Sequence, residues 1–236
     1  MDLDYYKNYF ANGGVYKLED YVGSSRVLMI TRWLRANLKP GDKVLDIGCG
    51  DGTYSRLMPE FEWTGIDINE EKTAYAGTRL TGDLFSGMGG LHSGGFAACV
   101  CSEVLEHLWA PEEVHAEAHR LLQARGVYVI STPNFDWVEH PYKNYQQVVY
   151  DPAEVHTKEH IRFFTLAAHT KMLDKAGFTV ADFMGADMQF GSYFAQARRY
   201  LHQEVLKQTN LGEVDYILGR CFPTVAHTIG ILGVKR

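Results

Sequence analysis

An α/β fold on a mostly parallel sheet is predicted by three features of the chain. Short apolar runs alternate with helix-period segments, the pattern of strands joined by crossover helices. The run at 96–101, Phe-Ala-Ala-Cys-Val-Cys, is continuous and apolar, as parallel strands buried on both faces are. The pattern closes on two strand-like segments, 178–185 and 227–234, a terminal hairpin that adds one antiparallel strand.

Bulk properties narrow the class. With 236 residues, 46% hydrophobic and 22% charged, the chain fits one globular domain with additions rather than two domains. The net charge of −6 lacks the basic balance of a general nucleic-acid binder, so a nucleic-acid partner is not expected. The start, Met1-Asp2-Leu3-Asp4, is acidic with no apolar core behind it, and no apolar run approaches membrane-spanning length. Cys49, Cys99, Cys101 and Cys221 match neither a zinc spacing nor a Cys-x-x-Cys pair, and Cys99 and Cys101 are read as buried apolar residues. A cytoplasmic location is expected.

Taken in order, residues 1–22 are rich in tyrosine and phenylalanine around Gly13-Gly14. This segment either covers a ligand or packs on the domain surface. Residues 23–38 place Val27, Leu28, Ile30 and Leu34 at helical spacing, with Arg26, Arg32 and Arg35 between, and Lys39-Pro40-Gly41-Asp42 turns the chain. The first strand, 43–47, runs into Gly48, Gly50 and Gly52, and a helix at 53–59 follows. Glycines at alternate positions allow unusual dihedrals and a close approach to the backbone. The free N–H groups at the helix start suit a hydrogen-bond-accepting or anionic ligand.

The second strand, 61–68, ends in Asp67 and Ile68. An acidic residue about 20 positions past a glycine turn suits ribose hydroxyls, because a carboxylate accepts both. Capping of the next helix, expected at 70–78, is the competing role. Residues 86–95 carry five glycines and are read as a flexible loop. The strand at 96–101 opens into Glu103, Glu106 and His107, and Pro111 starts a helix. His115 and His119 are read as a solvated flank of that helix. A helix C-terminal turn is expected at 123–126, a strand at 127–134, a long loop at 135–160 and a helix at 165–176. An insertion at 188–222 is expected, with a helix at 193–209 whose apolar side would serve as a homodimer interface or a substrate lid.

Asp46-Ile47-Gly48-Cys49-Gly50-Asp51-Gly52 resembles motif I of the class I S-adenosylmethionine-dependent methyltransferases, an apolar strand, an acidic residue and Gly-x-Gly-x-Gly. The resemblance reaches further, through Leu-Asp-Ile-Gly-Cys-Gly at 45–50, Glu-Val-Leu-Glu-His at 103–107, Gly-x-x-x-Ile-Ser-Thr-Pro-Asn at 126–134 and His-Ile-Arg-Phe-Phe-Thr at 160–165. These look like the small-molecule branch that includes ubiquinone-pathway and sugar O-methyltransferases. The resemblance implies a Rossmann-like, seven-stranded, mostly parallel sheet with an antiparallel last strand and helices on both faces. It covers about 25–185 by motif and 226–236 by inference. It implies S-adenosylmethionine as cofactor, held by Asp46, Gly48, Gly50, Asp67, Ile68, Asp83, Leu84 and Glu103, with Asp83 near the adenine amino group. A polar turn is the competing role for Asp83.

Glu103, Glu106 and His107 leave their strand together, at the edge where open α/β sheets bind ligands. In ubiquinone-pathway and small-RNA-terminus 2′-O-methyltransferases this spacing, with a later histidine, binds a divalent metal. His160 matches that later place best, with His156 second, so the resemblance implies a metal set of Glu103, Glu106, His107 and His160. In metal-free relatives the same pattern leaves Glu103 near the cofactor and His107 as a base or a structural residue. As ligands or as base, His107 and His160 are the candidate catalytic residues. The leading expectation is O-methylation of a small molecule or sugar precursor. A metal-dependent RNA 2′-O-methyltransferase and a non-catalytic cofactor-binding partner are the alternatives.

Overall fold

The structure is a computed structural model that describes residues 24–68, 75–136, 160, 162–187 and 211–236. The expected segment at 1–22, the helix at 193–209 and residues 137–159 of the expected loop lie outside the described residues.

Seven strands form one sheet: β1 Lys43–Ile47, β2 Glu62–Asp67, β3 Thr78–Thr81, β4 Phe96–Ser102, β5 Leu122–Pro133, β6 Phe178–Ala186 and β7 Thr228–Lys235. Their order is β3-β2-β1-β4-β5-β7-β6. Strands β1 to β5 pair parallel, and β7 runs antiparallel between β5 and β6. The helices are α1 Ser25–Asn37, α2 Thr53–Leu57, α3 Leu84–Gly89, α4 Pro111–Leu121, α5 Leu166–Lys175 and α6 Leu211–Cys221.

The sheet has two buried faces, and β4 shows why. Its residues alternate, with Ala98 and Val100 packing against α1 and α2, and Cys99 and Cys101 against the layer of α3, α4 and α5. A strand of period two covered on both sides must be apolar throughout. The α1 face gathers Met29, Ile30, Leu34, Met58 and Trp63, and the opposite face Leu45, Ile66, Leu121, Tyr128 and Phe178. Ser24 caps α1, its hydroxyl accepting from the Val27 N–H at 3.3 Å. Arg32 of α1 lies over the Tyr216 ring of α6 at 4.3 Å.

Three expectations are corrected. Thr78 begins β3 rather than ending a helix, and residues 75–77 are not helical. The glycine-rich stretch begins with a helix, α3, because Asp83 accepts from the N–H groups of Phe85 and Ser86 and so starts it. Strand β5 begins at Leu122, directly after α4, where a helix C-terminal turn was expected. Within the expected insertion, residues 211–221 form α6.

The largest correction concerns His115, which is fully buried. Its Nδ1 lies 3.3 Å from the Tyr128 hydroxyl, and its ring is 6.4 Å from that of His169. His169 is buried too, with Nε2 2.8 Å from the Thr132 hydroxyl. A helical position reads as polar flank from residue type alone, but α5 covers this side of α4. His119 is half-buried, edge-on to Phe178 at 5.3 Å.

Candidate functional site

The site lies at the carboxyl edge of β1, β2 and β4. The β1 turn takes left-handed dihedrals at Gly48, Gly50 and Gly52, with φ of 73°, 47° and 75°. The N–H groups of Gly48 and Cys49 donate to the Ile66 carbonyl at 2.8 and 3.1 Å, tying the turn to β2. A Cβ at Gly48 would stand 2.3 Å from Val104 Cγ2, so the turn touches the β4 exit. A Cβ at Gly50 would meet nothing within 4 Å among the described residues, so none of them closes over the backbone there.

Asp46 is 2% exposed, and its Oδ2 has no hydrogen-bond partner. Burial pushes its carboxyl from 3.8 up to about 8, with the charges of Asp67 and Asp51 adding and Arg79 opposing. Asp67, buried at the end of β2, accepts from the Gly50 N–H at 2.7 Å. Ile68 follows it at the strand edge. Asp83 caps α3, and Leu84 is the first residue of that helix. Residues 69–74, where Asp67 was weighed as a helix cap, lie outside the described residues, and Asp83 has a local polar role as the cap of α3.

Asp46 makes the fold pH-dependent. In the unfolded chain its carboxyl ionises near 3.8, whereas the folded chain keeps the proton to about 8, so folding binds a proton between those values and stability falls as pH rises. His115 and His169 act with the opposite sign. Burial lowers them from 6.5 to about 4 and about 3, so their contribution is lost as pH falls below 6.5. Above 6.5 the histidines' contribution is complete and no longer changes with pH. Urea unfolding is therefore expected to show stability declining from pH 6.5 to 8, and Asp46→Asn to flatten that decline. An equal slope in the variant would exclude Asp46 as its source.

At the β4 exit Glu103 takes φ 55°, a strained value for a residue with a side chain. It is held on three sides. Its N–H donates to the Ser131 carbonyl at 2.9 Å, the Ser131 hydroxyl donates to its Oε1 at 2.9 Å, and Arg26 pairs with its Oε2 at 3.1 Å. Arg26 also reaches Asp187 at the end of β6, at 3.8 Å. Sequence reasoning missed Arg26 as a site residue. Its one signal was an arginine opening a helix that packs beside the glycine turn.

Glu106 sits in a 3₁₀ turn, Leu105–His107, and is 1% exposed. Among the described residues neither carboxyl oxygen has a hydrogen-bond partner. Burial, helped by the Glu103 charge, raises its pKa well above the ordinary carboxylate range. His107 Nε2 lies 3.9 Å from Glu106 Oε1, and the His160 ring stands 4.9 Å from that of His107. The Arg162 N–H donates to the Glu106 carbonyl at 3.0 Å, which brings His160 to the turn. Glu106, His107 and His160 each offer one ligand atom within 4.8 Å of the others. Glu103 stands outside this group, engaged by Arg26 and Ser131.

No helix among the described residues is long and apolar enough to cross a membrane. The family model described as "Methyltransferase domain" matches residues 25–182. The ubiquinone biosynthesis O-methyltransferase of Psychrobacter arcticus is 32% identical over 164 residues, 61% of this chain and 62% of that one. The chain thus matches less than two thirds of that relative's length. A SAM-dependent methyltransferase from Archaeoglobus fulgidus has a TM-score of 0.63 at 18% identity, covering 100% of both chains. Haemonchus contortus phosphoethanolamine N-methyltransferase 2, bound to S-adenosyl-L-methionine, gives 0.60 at 13% identity over 98% of this chain and 60% of that one. At these identities the structural likeness is one of fold.

Proposed function

The chain belongs to the class I S-adenosylmethionine-dependent methyltransferase family, and from that membership we propose that it methylates a hydroxyl of a small molecule. The observation that carries the hydroxyl reading is the group of Glu106, His107 and His160 beside the glycine turn. An oxygen nucleophile must lose its proton, and these residues are a place to put it.

The turn fits the cofactor. Gly50 leaves open space above the backbone, Asp67 stands at the strand end where a ribose is held, and Asp46 offers a buried carboxyl oxygen without a partner. When bound, S-adenosylmethionine supplies a methyl on a sulfonium, whose C–S bond breaks as the acceptor O–C bond forms, leaving S-adenosylhomocysteine.

His107 takes the acceptor proton, and His160, edge-on to it, orients the ring. A proton on His107 eases ionisation of Glu106, so the two hold it as a pair. Arg26 and Ser131 fix Glu103 at the β4 exit. The same three donors, one carboxylate and two imidazoles, would hold a divalent ion, which would lower the pKa of an acceptor hydroxyl.

Transfer of labelled methyl to a panel of phenols and sugars, run beside amines of the same shape, tests the reading. Label is expected in the hydroxyl compounds. Label confined to the amines would overturn O-methylation. Turnover unchanged after exhaustive chelation would leave His107 as a base without a metal. Loss restored by a divalent ion would assign the metal to this group.

A further inference from the structure

We propose that Arg79 is a positioning residue for the cofactor turn, acting through the Gly50 peptide to set affinity for S-adenosylmethionine and its product. The proposal rests on the reading that residues 48–52 hold that cofactor.

The Gly50 peptide is gripped from both sides. Its N–H donates to Asp67 Oδ2 at 2.7 Å, and its carbonyl accepts from Arg79 Nη1 at 2.7 Å. Arg79 sits on β3, the edge strand, paired in register with Gly65 of β2, and its side chain crosses β2 to reach the β1 turn. Among the described residues nothing packs where a Gly50 Cβ would stand, and these two hydrogen bonds restrain the turn there. With φ at 47° the peptide occupies a conformation glycine reaches but does not prefer. A restraint that holds it before the ligand arrives removes an ordering cost from binding.

Charge gives the proposal a second signature. Asp46, Asp51 and Asp67 crowd the turn, and the Arg79 guanidinium opposes them at Asp46. S-adenosylmethionine carries the sulfonium charge, and S-adenosylhomocysteine does not. Loss of Arg79 makes the turn more negative, which partly compensates the cationic ligand but not the neutral one. Affinity for the product should therefore suffer more.

Calorimetric titration of the full chain with each ligand, for wild type, Arg79→Met and Arg79→Lys, tests this. Arg79→Met is expected to weaken S-adenosylhomocysteine by about tenfold and S-adenosylmethionine by about threefold, from loss of one charged hydrogen bond at a partly exposed site. Arg79→Lys should restore most of the ratio between the ligands. The melting temperature of the ligand-free protein should move by less than about 2 °C, because the contact is exposed. Unchanged product affinity in Arg79→Met would overturn the proposal. A large drop in melting temperature, with both affinities falling alike and no rescue by lysine, would overturn it in favour of a structural role. If wild type bound neither ligand, the cofactor reading itself would fall, and the Arg79 role with it.

Discussion

Gly48→Val is expected to weaken S-adenosylhomocysteine binding by roughly two orders of magnitude, from backbone strain and overpacking together. Gly48 holds φ at 73°, which a β-branched residue resists. Any Cβ there would also stand 2.3 Å from Val104 Cγ2. Relief requires the turn or the β4 exit to move, and Glu103 lies one residue before Val104. Both the cofactor turn and the Glu103–His107 turn would shift. Thermal unfolding should show a lower melting temperature as well. Gly50→Ala supplies the contrast. Nothing among the described residues meets its Cβ within 4 Å, so stability should fall only by the cost of the left-handed backbone, about 1–2 kcal/mol. Yet that Cβ would project into the space proposed for the cofactor, and affinity should fall regardless. Wild-type affinity in Gly50→Ala would remove the turn from the binding site.

Loss of His107 is expected to lower turnover at least about a hundredfold, the range of a positioned acid or base, while product affinity stays within about twofold. His107→Ala and Glu106→Gln test the two members of the pair, and S-adenosylhomocysteine titration separates chemistry from binding. Glu106 adds a readout of its own. A buried carboxyl with neither oxygen hydrogen-bonded costs stability, on the order of 1–3 kcal/mol. Glu106→Leu should therefore unfold at higher urea than wild type while turnover collapses. Function and stability would be opposed at one residue, as at sites kept for chemistry. A Glu106→Leu variant that is less stable would mean the carboxyl is a structural element of the 3₁₀ turn. Full turnover in His107→Ala would remove it as the base.

Much of this was legible in the chain, and the physical reason is range. Period-two and period-3.6 patterns are local, so β1, β4, β7, α1, α4 and α5 could be placed from neighbouring residues. The turn at Gly48, Gly50 and Gly52 was legible because its dihedrals demand glycine whatever surrounds it. Burial of Cys99 and Cys101 followed from strand period. Strand β3, of four residues none of them buried, carries no such pattern, and helix α3 is fixed by its Asp83 cap against a glycine-rich composition.

What the tertiary structure decided is which distant residues meet. His115 was misread as solvated, because its burial comes from α5 and β5, which lie elsewhere in the chain. Motif spacing grouped Glu103 with Glu106, His107 and His160. The fold instead turns Glu103 toward Arg26 and Ser131 and leaves the other three together. Most strands and the glycine turn were determined by the sequence alone, since these depend on local geometry, while its motifs carried the family resemblance. The partition of the carboxylates, Glu103 ion-paired and Glu106 buried with no hydrogen-bond partner among the described residues, depends on contacts between β1, β4, β5 and α1, which only packing sets.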